Sequence, residues 1–330
     1  MLEIETFRTG LLPNAIVKKL IETSEAIAEM RTLINVNAAP QVLNSALFIN
    51  EIRYRNALEG YEFTYEDILL SIAGINASSN LYTQIKNYNM AKEIAINQVD
   101  KFDILSSTDF LIVNETLKGS DGISDITVLS NQKESTLKEI RGILTDLYNP
   151  QSEYPLLLEF AIAIYRLLKL SKTYKIDLLA IKILLMTLYK TEGLIFYLSK
   201  HFIIYDSELE VERNSTERSI EIILNILESS VRDSVKLLYV LNKEINTYGQ
   251  DLKERLPKLY SEELKRAITQ NFYTRNIIIE KEMRVSPKTA ITYLKTLEQN
   301  GFLSAVKIGK EKVYINRQLL NVIDDGLKGI

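Results

Sequence analysis

The 330-residue sequence has no cysteine and one histidine, His201. Without thiols there can be no disulfide, no thiolate nucleophile and no cysteine-ligated zinc or iron–sulfur centre, and the usage fits a reducing compartment. With one imidazole, a zinc site built from several histidines cannot be assembled, and Ser-His-Asp or metalloprotease constellations are disfavoured. His201, between Lys200 and Phe202, reads as a surface or packing residue. Glycine and proline are also scarce, at 12 and 6, and no G-x-G-x-x-G or G-x-x-x-x-G-K-[ST] pattern occurs. That excludes a dinucleotide-binding turn and a P-loop. Long apolar runs are missing as well: Leu178 to Tyr189, the most apolar stretch, is interrupted by Lys182 and too short to span a bilayer. The first residues, MLEIETFRTG, show no basic segment leading into an apolar one. A cytoplasmic protein without a membrane anchor is expected.

What is present is globular. Hydrophobic residues make up 46% and charged residues 25% of the chain, enough to bury a core and long enough for two domains. The charge is unevenly spread. Residues 258–330 carry 13 Lys and Arg against 8 Asp and Glu, a net of +5, whereas the preceding residues carry 27 against 35, a net of −8. A basic tail on an acidic body points to a polyanion met by the tail alone.

Apolar residues recur at helical spacing from 14 to 257, as in Ile16, Leu20, Ile27 and Met30, and in Leu156, Phe160, Ile164, Leu167 and Leu168. Breaks rich in turn formers or charge fall at 37–40, 74–79, 119–133, 149–155 and 211–216. Between them the pattern predicts about seven or eight helices in one bundle. Residues 119–133, with Ile126, Val128 and Leu129 among turn formers, are expected to form a small hairpin or flap.

After the polar run 246–257 the periodicity predicts helix, helix, turn, helix and two short strands. Ser261 opens the first helix, to about Asn271, and Thr274 the second, to about Met283. The third is the best defined: Ser286 suits an N-cap, Pro287 the first helical position, and Gly301 the residue just past the end. At 100° per residue, Ala290, Leu294 and Leu297 share one face, and Lys288, Thr292, Lys295, Thr296 and Gln299 the opposite one. The second set suits a major groove, with lysines for phosphates or guanine and Gln and Thr for base or backbone hydrogen bonds. Strands at about 302–306 and 312–316 would put Lys307, Lys310 and Lys312 at a hairpin tip, placed to grip flanking phosphates. The segment VSPKTAITYLKTLEQNGFLSAVKIGKEKVYIN resembles the second half of a winged helix-turn-helix.

In the body, Phe7 to Pro13 with the following helix, and Asn50 to Gly60 with its Glu51, Leu58, Glu59 and Gly60, resemble respectively the start and the E-A-x-x-S-S-x-I-E-G inhibitory segment of the Fic family. Leu194 to Tyr205 is similar to the stretch that follows the active site, and a Fic body before a carboxy-terminal winged helix is a familiar order. The family's H-P-F-x-[DE]-G-N-G-R-x-x-R loop aligns with 171–182, where Ser171 replaces the histidine base, Lys175 the metal-binding acid, Ile176 and Leu178 the two glycines, and Leu179 the first arginine. Lys182 alone keeps the charge of the last one.

In the family, the histidine takes the proton of a target hydroxyl as it attacks the α-phosphate of ATP; a serine has no comparable basicity near neutral pH. Side chains at the glycine positions block the approach of backbone amides to phosphate, and Lys175 repels Mg²⁺. The loss of Leu179's arginine counterpart leaves Glu59 without its family partner.

The resemblances thus imply a mainly α protein, with a Fic-like body over 1–250 (an amino-terminal segment 1–100 and a core 101–250) and a winged helix-turn-helix over 258–330. The expected function is a catalytically silent, DNA-binding transcriptional regulator. Its expected partners are duplex DNA and a second copy of itself, with a ligand or protein partner sensed by the body and no resident cofactor. The alternatives are a Fic-type transferase of AMP to protein hydroxyls, using ATP and Mg²⁺ with Ser171, Lys175 or Asp177 in new roles, or an antitoxin-like interaction scaffold.

Overall fold

The computed structural model of the chain describes residues 12–36, 40–58, 60–74, 79–119, 133–148, 155–170, 180–181, 183–184, 215–308 and 311–328. They form twelve helices and three short strands, so the architecture is mainly α with one small antiparallel sheet, as the periodicity predicts. The eight helices up to residue 257 are α1 (Asn14–Val36), α2 (Pro40–Leu58), α3 (Tyr65–Ile72), α4 (Ser79–Phe102), α5 (Ser107–Leu117), α6 (Lys133–Leu147), α7 (Leu156–Leu170) and α8 (Thr216–Arg255). Two breaks that composition does not reveal precede α3 and α5. Thr64 and Ser106 each accept from the amide three residues on, at 3.1 Å, while Asp67 and Asp109 accept from the capping residues' own amides. Each pair is a capping box, which gives two amides at the helix start a partner. Of the flap expected over 119–133, residues 120–132 lie outside the described residues and Lys133 opens α6; Glu59, His201 and the loop positions Ser171, Lys175, Ile176, Leu178 and Lys182 also lie outside them.

Two compact units are present: Met1–Arg31 with Thr83–Arg232, and Thr32–Tyr82 with Asp233–Ile330. In the first, Ile16, Leu20, Ile27 and Met30 are buried as their spacing predicts. Helix α7 is more enclosed than an amphipathic stripe requires, since every residue from Leu157 to Tyr165 is buried. Leu156, counted by spacing with the stripe, is instead exposed at the helix start. Lys169 Nζ donates to the buried Tyr165 hydroxyl at 3.2 Å, and Arg166 bridges to Asp146 of α6 at 2.5 Å.

The second unit holds α2 and α3 together with the carboxy-terminal elements. The polar run 246–255 forms the last turns of α8, with Tyr248 and Leu252 buried. Next come α9 (Glu262–Thr269), β1 (Tyr273–Thr274), α10 (Asn276–Met283), α11 (Pro287–Gln299), β2 (Ser304–Ile308), β3 (Glu311–Ile315) and α12 (Arg317–Lys328). The strands lie in the order β1-β3-β2, all pairs antiparallel, with Thr274 opposite Tyr314 and Lys307 opposite Lys312. Thr274, expected to open a helix, is thus a buried strand residue, and α10 starts two positions later. The turn before it is made by Phe272, whose φ of 61° is left-handed and whose ring is fully buried. Composition gives no sign of a bulky residue in that conformation.

Asn316 holds several of these pieces. Its amide donates to the Phe272 carbonyl at 2.8 Å, its side-chain nitrogen to the Ile268 carbonyl at 3.3 Å, and its side-chain oxygen accepts from Leu319 at 3.1 Å, capping α12. It is fully buried. Asn316→Ala removes the cap and strands the Ile268 carbonyl, so denaturant melts should show a loss of about 1–3 kcal/mol. Helices α2 and α3 join the same unit through polar contacts: Ser45 donates to Asn271 at 3.3 Å, and Arg317 makes a two-pronged bridge to Glu66 at 2.5 and 2.9 Å.

Candidate nucleic-acid interface

Helix α11 is fixed at both ends by local chemistry. Ser286 is extended (φ −68°, ψ 156°) and its hydroxyl accepts from the Thr289 amide at 3.2 Å, while Pro287 occupies the first turn, where no amide is missed. At the other end Gly301 is left-handed at φ +78°. Its amide donates to the Glu298 carbonyl at 3.1 Å and that of Phe302 to the Leu297 carbonyl at 2.9 Å, a Schellman closure. Arg284, also left-handed at φ 52°, ends α10 and leaves only Val285 and Ser286 before α11. A short, strongly specified turn therefore sets the second helix against the first.

The buried face is the one the spacing predicts: Ala290, Leu294 and Leu297 are fully buried, packed with Leu264, Ile268, Ile279, Leu303 and Tyr314. The carboxy end of α11 is also gripped by α8. The Tyr248 hydroxyl donates to the Phe302 carbonyl at 2.9 Å and the two rings meet edge to face at 5.5 Å. Arg255 lies over the Phe302 ring at 4.7 Å, donates to the Asn300 carbonyl at 2.6 Å and is held by Asp251 at 3.0 Å. Burial, and to a smaller extent Asp251, pushes the Tyr248 phenol well above its ordinary value, so it stays a neutral donor.

The opposite face is available. Lys288, Thr292, Lys295 and Gln299 are exposed and Thr296 is half-buried. Neither Lys288 nor Lys295 has an ion-pair partner among the described residues. Thr292 and Thr296 donate their hydroxyl protons to the carbonyls of Lys288 and Thr292, at 3.0 and 2.9 Å. Each can therefore offer a ligand an acceptor oxygen and a methyl group, with its proton already used.

Lys307 and Lys312, expected at the hairpin tip, are strand residues one step inside the Ile308–Glu311 pair. Lys307 is exposed and, among the described residues, unpaired; Lys310 lies outside the described residues. Lys312, directly across from Lys307, stands 3.6 Å from Glu298 of α11 and 5.9 Å from the Tyr314 ring. Like charges opposite one another disfavour a strand pair. A bound polyanion would relieve that repulsion, and Glu298 relieves part of it in the free protein.

Two residues at this surface escape the sequence reading. Glu298 places a carboxylate beside a face that otherwise has none, and Ile291 is 42% exposed although apolar. The signal for both lies in the angular count: each falls on the border of the polar face.

Residues 50–60, which resemble the Fic inhibitory segment in sequence, lie in the same unit apart from Glu59, which is outside the described residues. Glu51 and Asn50 on α2 are fully buried, Asn50 accepts from the Tyr65 hydroxyl at 2.7 Å, and Arg53 stacks on the Tyr65 ring at 4.5 Å. Gly60 follows α2 at φ +82°. Among the described residues no three His, Asp or Glu are grouped to hold a metal ion, and none of the helices is long and apolar enough to cross a membrane.

Residues 245–319 match the family described as the C-terminal domain of SoFic-like protein adenylyltransferases. The matched span contains the whole cluster from Tyr248 to Tyr314 together with Asn316, and covers less than a quarter of the chain. The match supports the Fic resemblance of the sequence: the helices and hairpin that end this chain are similar to the domain that ends those proteins.

Proposed function

We propose that this protein is a DNA-binding transcriptional regulator. In this reading α9 to β3 work as a winged helix-turn-helix, α11 is the recognition helix, β2 and β3 form the wing, and the Fic-like body is catalytically silent. The observation that supports it best is the pairing, on one helix, of an apolar face locked into the unit and an outward face with two lysines free of any described acid. Lys307 and Lys312 on the wing add cationic groups for flanking phosphates. The protein would bind as a homodimer, presenting two recognition helices to two half-sites. In a fluorescence-anisotropy titration, affinity for duplex DNA should fall steeply and linearly on log–log axes as salt rises, with a slope near −0.9 per phosphate neutralised. No detectable binding at about 50 mM salt sinks the proposal.

A second reading is favoured by the family match, whose description names a protein adenylyltransferase. Here the chain would transfer AMP to protein hydroxyls, with ATP and Mg²⁺ held at residues 171–182. Ser171 and Lys175 are poor substitutes for a histidine base and a metal-binding acid. Incubation with labelled ATP and Mg²⁺ separates the two: label on protein supports transfer, and its absence together with salt-dependent duplex binding supports the regulator.

A further inference from the structure

Resting on the DNA-binding reading, we infer that Ile291 is a specificity-determining residue that contacts the C5-methyl group of thymine in the major groove. Exposed apolar residues are common in this chain, and what sets Ile291 apart is its place between the two lysines of α11. It is β-branched, which lowers helix propensity, and at 42% exposure it gains little from burial in return. It sits three residues after Lys288 and four before Lys295, so the three side chains form one stripe along α11. Both lysines are exposed and, among the described residues, unpaired, so a helix drawn to phosphates by them carries Ile291 onto the base edges.

The neighbours narrow the choice of base. Thr292 and Thr296 have turned their hydroxyl protons to helix carbonyls at 3.0 and 2.9 Å, which leaves methyl groups and acceptor oxygens on the part of the polar face farther round from Ile291. Thymine alone presents an apolar group in the major groove, and Gln299, about two turns further along α11, can pair with the N6/N7 edge of adenine. The stripe therefore favours A·T steps, with the thymine methyl seated on Ile291.

Alternating dA-dT and dA-dU copolymer duplexes differ only in that methyl, and make the test direct. The full-length protein should bind the thymine duplex about fourfold more tightly for each methyl group it covers, the value of burying one such group. Ile291→Ala should bring the ratio toward one, chiefly by weakening binding to the thymine duplex, with the salt slope unchanged. Ile291→Val, which keeps part of the apolar surface, should fall between. Equal binding of both duplexes by the unaltered protein overturns this role for Ile291 and leaves the DNA-binding reading standing. Failure to bind either duplex removes both. A thymine preference that survives Ile291→Ala moves the methyl recognition to another residue and overturns the assignment.

Discussion

Replacing Lys288 and Lys295 together by alanine should weaken duplex binding about a hundredfold at 50 mM salt or so, and lower the log–log salt slope by about two. The size follows from counterion release: each phosphate left without its lysine keeps about one condensed cation that binding would otherwise free, worth roughly a factor of ten at that ionic strength. The structure makes this a clean removal. Both side chains are exposed, neither has an acidic partner among the described residues whose charge would be left unbalanced, and alanine suits a helix at least as well. Folding stability should hold within about half a kcal/mol. Lys312→Ala should behave differently: it releases Glu298, 3.6 Å away, to repel the same phosphates, so a new repulsion adds to the missing attraction. Anisotropy measured over a salt series with the three proteins distinguishes these cases. Unchanged affinity after the double substitution would move the interface away from α11.

The parts of this surface legible in the sequence are those governed by rules acting within a few residues. Ser286, Pro287 and Gly301 announce the ends of α11 because capping depends only on neighbours in the chain, and the 100° count separates Ala290, Leu294 and Leu297 from Lys288 and Lys295. What stays hidden depends on residues far apart in sequence. Thr274 reads as a helix opener until Tyr314, forty residues later, pairs with it, and the polar turns of α8 read as a connector until Phe302 gives Tyr248 and Arg255 something to hold. Glu298 reads as one more solvated acid until the register of the hairpin brings Lys312 to it.

Phe302→Ala should cost about 3–5 kcal/mol of unfolding free energy in the unit that holds α11, the range for deleting a buried aromatic side chain. The ring is 4% exposed, meets Tyr248 edge to face and lies under the Arg255 guanidinium, so its removal opens a cavity on one side and leaves a cation without its aromatic face on the other. The backbone of Phe302 closes α11 by donating to Leu297 and accepts from the Tyr248 hydroxyl. Loss of the ring therefore loosens these two of the hydrogen bonds that fix the end of the helix. Tyr248→Phe separates the two effects. It keeps the ring pair and deletes one buried hydrogen bond, for an expected cost of about 1–2 kcal/mol. Hydrogen exchange resolves where the loss is felt: with Phe302→Ala, amides from Leu294 to Gln299 should exchange faster in step with the global destabilisation, whereas the Ser286 end keeps its capped amide. Because Lys288 and Lys295 ride on this helix, the proposed DNA-binding role predicts that the same substitution also reduces DNA affinity without altering a single charge. A Phe302→Ala protein with full stability would show that α8 and the end of α11 are not mechanically joined, and that Leu294 and Leu297 alone hold the helix in place.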